Sequence, residues 1–367
     1  MLMNYTDYES ANILIDGFTY GFKINYTGPR TPVVCKKLES IYQYPDIALQ
    51  KIQSEIEFGR IMGPFSNRPI SNLRCSPIGI VSKKTGCLRL ITHHSYPIGQ
   101  GINAYIDPYF STVQYSPFDN AISIVQRLGG NALCAKSYIK SVFRLLPIYP
   151  GSFDLLGIQL NENFYIDKML PVGLSQSCSY FEKNSSFIDW SVKRESNIEN
   201  IDHYLDDFFF TGSAETNDCQ VLLDNLCSVC DRLNVPLAKE KTVAPTTIIE
   251  YLGLTIDTGK MIVKIPENKI SELKDKIMFV MGNSLRTLQS LAGSLAFCAK
   301  ELPAGRAFSR RIYAATSKAK KPHHFIRVTN AMKCDLLVWK EFLEDFNGIS
   351  YIPKINWSSN YDLELNG

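Results

Sequence analysis

The stretch His203-Tyr204-Leu205-Asp206-Asp207-Phe208-Phe209-Phe210 sets two adjacent carboxylates inside an aromatic, β-favouring run. Strand interiors disfavour Asp. Neighbours on a strand point to opposite faces, so the pair fits best at a tight turn between two strands. Gathering carboxylates there costs desolvation unless cations offset it. Magnesium ions can do so, because Mg²⁺ takes carboxylate oxygens together with substrate phosphates. The residues alone leave two readings open: a plain Asx turn joining two strands, or an acidic site for metal-assisted phosphoryl transfer.

Outward from the pair, Ile201 to Thr211 reads as β-structure broken at the acids, and Ala214 to Leu233 as a helix. Upstream, Leu174 to Val192 reads as a helix after a Pro-x-Gly entry. Leu155 to Ile166 reads as two strands around Asn161-Glu162-Asn163, and Ala132 to Ala135 as a buried strand. Asp119 to Leu128 has helical signals. Ile78 to Lys83, then Lys84-Thr85-Gly86, then Leu88 to Thr92 has the pattern of a hairpin. Asp46 to Gly59, with Ile47, Leu49, Ile52 and Ile56 in helical spacing, is the one clear helix of the N-terminal part. Downstream, Ile248 to Ile256 and Met261 to Ile265 flank a turn at Asp257-Thr258-Gly259-Lys260. After Pro266 the pattern turns helical and stays so, with Leu285, Leu288, Leu291, Leu295 and Cys298 on one face.

The chain has 367 residues, 45% hydrophobic and 20% charged, which excludes a disordered tail and predicts two or three subdomains. A net charge of +3 barely favours a nucleic-acid partner. Placement matters more, and basic residues thicken after Lys300, with Arg306, Arg310 and Arg311 close together. No apolar run is long enough for a membrane span, and the N-terminus has no signal pattern, so an intracellular protein without a membrane partner is expected. The ten cysteines sit in apolar surroundings and read as reduced, buried thiols. Cys219, Cys227 and Cys230 share one helical stretch with no fourth zinc ligand, so packing is their expected role. His93 and His94 point to opposite faces of an extended segment and read as structural.

The Tyr204-x-Asp206-Asp207 form, with its hydrophobic flanks, resembles the Y-x-D-D box of reverse transcriptases. Other stretches follow in that family's order. Leu170-Pro171-Val172-Gly173-Leu174 resembles the turn that abuts template and incoming nucleotide. Tyr251-Leu252-Gly253 resembles the primer-grip hairpin, and Ser76-Pro77 through Lys83 to Arg89 the fingers hairpin that holds the triphosphate. Lys241 resembles a lysine ahead of the primer hairpin. The likeness narrows further: His93-His94-Ser95-Tyr96-Pro97 with Gly101-Ile102-Asn103, Phe143-Arg144-Leu145-Leu146-Pro147, Ser177-Cys178 with Phe181-Glu182, Gly305-Arg306-Ala307-Phe308 and Trp339-x-x-Phe342-Leu343 resemble segments of DIRS-type (tyrosine-recombinase) retrotransposon reverse transcriptases.

The resemblance implies an α/β (α+β) right-hand polymerase fold, with a palm of antiparallel sheet and helices, β-rich fingers and a helical thumb. It divides the chain into an N-terminal extension and start of fingers (1–72), a fingers and palm core (73–265), a helical thumb (266–325) and the start of a connection (326–367). It implies RNA-directed DNA polymerase activity on an RNA or DNA template–primer, with dNTPs as substrates and Mg²⁺ or Mn²⁺ as cofactor. Asp206 and Asp207 become the metal ligands. Lys83, Arg89, Val172 and Gly173 face the nucleotide, Phe143 blocks a ribose 2′-OH, Leu252 and Gly253 grip the primer, and Arg306, Arg310 and Arg311 track nucleic-acid phosphates.

The pattern breaks at one point. The family's first catalytic Asp precedes the aromatic of its F-R-x-x-P box by five residues, and here that position is Tyr138. No Asp or Glu lies between Asn120 and Pro150. A phenol with a pKa near ~10 stays neutral and is a poor Mg²⁺ ligand. Impaired catalysis is therefore expected, and a non-catalytic nucleic-acid-binding scaffold is the alternative. If the alignment holds, Tyr138, Asp206 and Asp207 should converge in space. The family's RNase H domain would begin after Leu365, where only Asn366-Gly367 remain, so neither it nor the recombinase is expected in this chain.

Overall fold

The computed structural model describes residues 1–82, 86–280, 285–318 and 326–353. The fold is mixed α/β with mainly antiparallel sheets. The strands of the acidic hairpin, Ile201–Tyr204 and Asp207–Gly212, are neighbours in one sheet. The chain divides into two compact units: Met1–Ser116 with Ser137–Phe208 and Asp224–Thr242, and Pro117–Lys136 with Phe209–Leu223 and Val243–Gly367.

The first unit carries a five-stranded sheet of order Val33–Val34, Arg74–Cys75, Gly157–Leu160, Asn163–Asp167, Ile61–Phe65. Helix Pro45–Glu57 buries Ala48 and Ile52 in a core with Ile61, Ile78, Ile80, Ile158 and Tyr165. Leu49, expected on that face, is exposed. The expected hairpin is present: Ile78–Ser82 pairs antiparallel with Leu88–Thr92, Val81 opposite Arg89. The long helix begins at Ser177, later than expected, because Leu170 to Gln176 forms the turn that feeds it. Two helices escaped the sequence reading, Tyr8–Tyr20 and Glu39–Gln43. The first is capped by Asp7, whose side chain accepts from the Ser10 amide.

The second unit is built around Trp339, Leu288, Leu291, Leu295 and Ile256. Its helices include Glu267–Val280, Leu285–Cys298, Arg310–Lys318 and Asn330–Asp345. Two motif segments meet in it. A Cβ on Gly305 would stand 2.3 Å from the Trp339 ring, so only glycine allows that approach. The Phe308 and Phe342 rings meet edge-on at 5.6 Å, and Trp339 Nε1 donates to Ser309 Oγ at 3.1 Å. The expected strand Ile248 to Ile256 is two strands, Ile248–Tyr251 and Leu254–Asp257, reversing at Leu252-Gly253. The helical run after Pro266 is also not the whole story: Ile349–Tyr351 pairs with Ile262–Lys264 as a sheet edge.

Candidate active site

The acids lie at a hairpin tip. Leu205, with φ +53°, turns the chain between Ile201–Tyr204 and Asp207–Gly212, leaving Asp206 in the turn and Asp207 at the start of the second strand. A bulky residue in the left-handed region is uncommon and costs about 1–2 kcal/mol, so the surrounding packing holds this turn.

Residue 138 lies beside that tip. The Ile139 amide donates to the Asp206 carbonyl at 3.0 Å, and the Tyr138 carbonyl accepts from the Ala238 amide at 2.8 Å. Ile139 also bridges Leu237, and the Lys140 amide donates to the Pro236 carbonyl at 2.7 Å. Tyr138 therefore sits between the acidic turn at Asp206 and the segment leading to Lys241. Lys241 Nζ stands 5.4 Å from the centre of the Tyr138 ring, within cation–π range. Burial raises the Asp206 pKa, while its own backbone amide and the Lys241 charge pull it back. Among the described residues no group of three or more His, Cys, Asp or Glu side chains gathers where it could hold a metal ion.

Beneath the hairpin is a charged cluster that the sequence reading did not assign. His203 Nε2 lies 3.2 Å from Glu182 Oε1, and Nδ1 lies 3.5 Å from Asp189 Oδ1, both acids standing on helix Ser177–Ser196. Their spacing of seven places both on one helical face, a signal that was available. The imidazole also stacks on Phe208 at 5.4 Å. Burial alone would lower its pKa, but Asp189 and Glu182 hold it at about 9.

On the expected nucleotide side, Ser141 and Val142 take φ of +64° and +25°, a sharp turn into the 3₁₀ segment Val142–Leu145 that carries Phe143. Arg144 locks this segment. Its guanidinium donates to both Asp167 oxygens at 2.8 and 2.6 Å and to Glu55 at 2.9 and 2.7 Å, in a partly buried network. The Phe143 ring packs edge-on against Phe181 at 5.7 Å. Gly173 needs its lack of a side chain: φ is +95°, and a Cβ would stand 3.0 Å from the Thr92 carbonyl. Asn103 latches that turn, donating to the Gly173 carbonyl at 2.9 Å and accepting from the Ser175 amide at 2.9 Å. Val172 is half-buried and Arg89 exposed, while Lys83 lies outside the described residues.

In the second unit, Leu252 and Gly253 take φ of +47° and +83°, the left-handed pair a two-residue hairpin turn requires. Arg306, Arg310 and Arg311 are all exposed. Arg311 is not wholly available for phosphates, because its Nη1 stands 2.6 Å from Asp335 Oδ1.

Comparison with known proteins bears on the fold. No family model matches the chain. Over 166 residues it is 26% identical to the Gag-Pro-Pol polyprotein of Human T-cell leukemia virus 3 (strain 2026ND), a match covering 45% of this chain and 11% of the polyprotein. Two structures of the foamy viral protease-reverse transcriptase with double-stranded DNA superpose with TM-scores of 0.61, at 17% and 18% identity, over 87% and 91% of this chain. A third, with an RNA/DNA hybrid, gives 0.59 at 17% identity over 93%. This chain has a reverse-transcriptase fold. It spans 51%, 63% and 44% of those three chains.

His94 is buried, and burial lowers its pKa to about 4, with the His93 charge acting the same way. The ten cysteines are free, but the expected burial holds for only Cys75, Cys134, Cys219, Cys230 and Cys298: Cys35, Cys178 and Cys227 are half-buried, and Cys87 and Cys334 are exposed. Cys219, Cys227 and Cys230 fall in helix Asp218–Arg232. No helix among the described residues is long and apolar enough to cross a membrane.

Proposed function

We propose that this chain is the reverse-transcriptase domain of a DIRS-type retroelement, an RNA-directed DNA polymerase by descent whose catalysis is impaired at Tyr138. The fold supports a polymerase ancestry. The observation that carries the site assignment is the Ile139–Asp206 backbone hydrogen bond, which brings residue 138 to the acidic turn. In this reading residues 1–72 open the fingers, 73–265 form fingers and palm, 266–325 the thumb and 326–367 the start of a connection.

The nucleotide side follows from the chain's own groups. Arg89, with Lys83, supplies cations for the triphosphate. Gly173 and Val172 border the incoming base, and Phe143, held by the Arg144 network, stands against a ribose 2′-OH and so selects dNTPs. Leu252 and Gly253 grip the primer. Arg306 and Arg310 face template–primer phosphates, as suits the duplexes bound by the foamy viral enzyme. Polymerases of this type use Mg²⁺ or Mn²⁺ to clamp attacking and leaving oxygens. The donor set here does not fit a pair of such ions: it is two adjacent carboxylates and a neutral phenol. A non-catalytic nucleic-acid-binding scaffold is the second reading, favoured by that same donor set.

Primer extension on a primed RNA template, with Mg²⁺ or Mn²⁺, separates the two. The unmodified chain should incorporate little or no dNTP. Tyr138→Asp should raise incorporation by on the order of a hundredfold or more, as expected for several kcal/mol of transition-state stabilisation. Tyr138→Asn should not. Robust synthesis by the unmodified chain would refute the impairment, and no gain from a folded Tyr138→Asp variant would leave the scaffold reading.

A further inference from the structure

One cavity of the first unit joins features that the polymerase reading leaves unused. Its volume is about 860 Å³, within the ordinary range of ligand sites. One face of helix Tyr8–Tyr20 lines it with Glu9, Asp16 and Tyr20, and the first turns of helix Ser177–Ser196 line it with Tyr180 and Lys183. Tyr109, Tyr149 and Lys23 complete the part that matters here.

Three of these rings are open to solvent: Tyr20 is 66% exposed, Tyr109 73% and Tyr149 38%. Single exposed aromatics are ordinary, but several on one cavity mark a binding surface. The framework beneath them is set. The Tyr180 hydroxyl donates to the Lys23 carbonyl at 2.7 Å, and Gln176 holds both the Tyr180 hydroxyl at 3.3 Å and the Asn25 amide at 2.9 Å. Lys23 Nζ stands 5.6 Å from the centre of the Tyr149 ring, and Lys183 Nζ donates to Ser10 Oγ at 3.2 Å.

We infer that this cavity binds single-stranded nucleic acid, stacking bases on Tyr20, Tyr109 and Tyr149 and meeting phosphates with Lys23 and Lys183. Flat faces call for flat partners, and base–aromatic stacking tolerates any sequence. The two ammonium groups call for anions. The carboxylates of Glu9 and Asp16 can accept only from donors, and exocyclic amino groups of bases are such donors. One ligand class offers all three features. A docked peptide helix would need a mainly apolar groove, whereas two lysines, two carboxylates and several tyrosine hydroxyls stand among the lining residues Ile13, Phe22 and Phe110. The inference rests on the nucleic-acid reading above for its ligand class but uses none of the hairpin residues.

The test is fluorescence anisotropy of the full chain with a short labelled single strand, a blunt duplex and an abasic strand of equal length. Tyr20→Ala and Tyr109→Ala should each weaken single-strand binding by about tenfold, the scale of one lost stacking contact. Duplex binding should be unchanged. In the unmodified chain, 2-aminopurine placed in the strand should lose fluorescence on binding, a readout that needs no variant. Undiminished single-strand affinity in both variants, an abasic strand bound as tightly, or unquenched 2-aminopurine in a saturated complex would each overturn the inference. Loss of duplex binding alone would instead sink the proposed function and leave this site standing.

Discussion

Raising the pH should loosen the acidic hairpin through His203. Its side chain is 12% exposed and faces Glu182 and Asp189. Lys193 Nζ is 2.8 Å from Asp189, and Asp202, on the same strand as His203, is held above the usual carboxylate range by burial. The Tyr5 phenol, near Asp189, is pushed up to about 12, chiefly by burial. Burial disfavours the imidazolium, but the two acids more than reverse this and raise the pKa from 6.5 to about 9. A pKa raised on folding contributes stability that is fully present below pH 6.5 and is lost as the pH rises through about 9. At about 1.4 kcal/mol per pH unit between those values, the contribution is up to about 3 kcal/mol. The contacts are ion pairs by distance rather than aligned hydrogen bonds, so the lower part of that range is expected. His203→Gln removes the charge and keeps a polar side chain. Urea unfolding of both proteins should show a stability gap of up to about 3 kcal/mol near pH 6 that closes towards pH 10. A gap that does not change with pH, or a His203 imidazole titrating at or below 6.5 by NMR, would refute the argument.

Arg144→Met should destabilise the first unit by about 3–5 kcal/mol in chemical denaturation, because Asp167 is left buried without its cation; Asp167→Asn in the same chain should recover part of the loss. Gly173→Ala should cost about 1–2 kcal/mol, since it forces an L side chain to φ +95° against the Thr92 carbonyl; a neutral effect on the thermal midpoint would show that the turn can move. Arg310→Ala should lower the salt slope of duplex binding by about one. Arg311→Ala should lower it less, because Asp335 already holds that guanidinium, and equal slopes in titrations from low to high salt would contradict this.

What the sequence made legible was local. The hairpin Ile78–Ser82 with Leu88–Thr92 and the turn at Asp206 are set by residues within one turn of each other, and alternation with turn chemistry is enough to read them. Helix Tyr8–Tyr20 was hidden because three of its four buried residues, Ser10, Ala11 and Gly17, are small, and Leu14 alone leaves almost no apolar period. The strand Ile349–Tyr351 is three residues long and exists only because Ile262–Lys264 offers an edge far away in sequence. The Arg144 and His203 networks are likewise tertiary.

Tyr138 differs from both cases. A tyrosine ending a buried strand is ordinary by propensity and by packing, so nothing local marks it. Its significance comes from the residue expected there and from what stands beside it, an acidic turn hydrogen-bonded to the next residue and a lysine over its ring. An aspartate at 138 would bring a third carboxylate to the tip, and the tip would then need cations to hold it. The phenol asks for none, and it leaves Lys241 a ring face to rest on. If Tyr138 stands where a ligand is lost, as proposed, the phenol also relieves the hairpin of charge repulsion, and the fold can persist with the chemistry weakened. An intact hairpin around Tyr138 fits that proposal, and Tyr138→Asp should lower stability in the absence of divalent ions even as it raises incorporation in their presence.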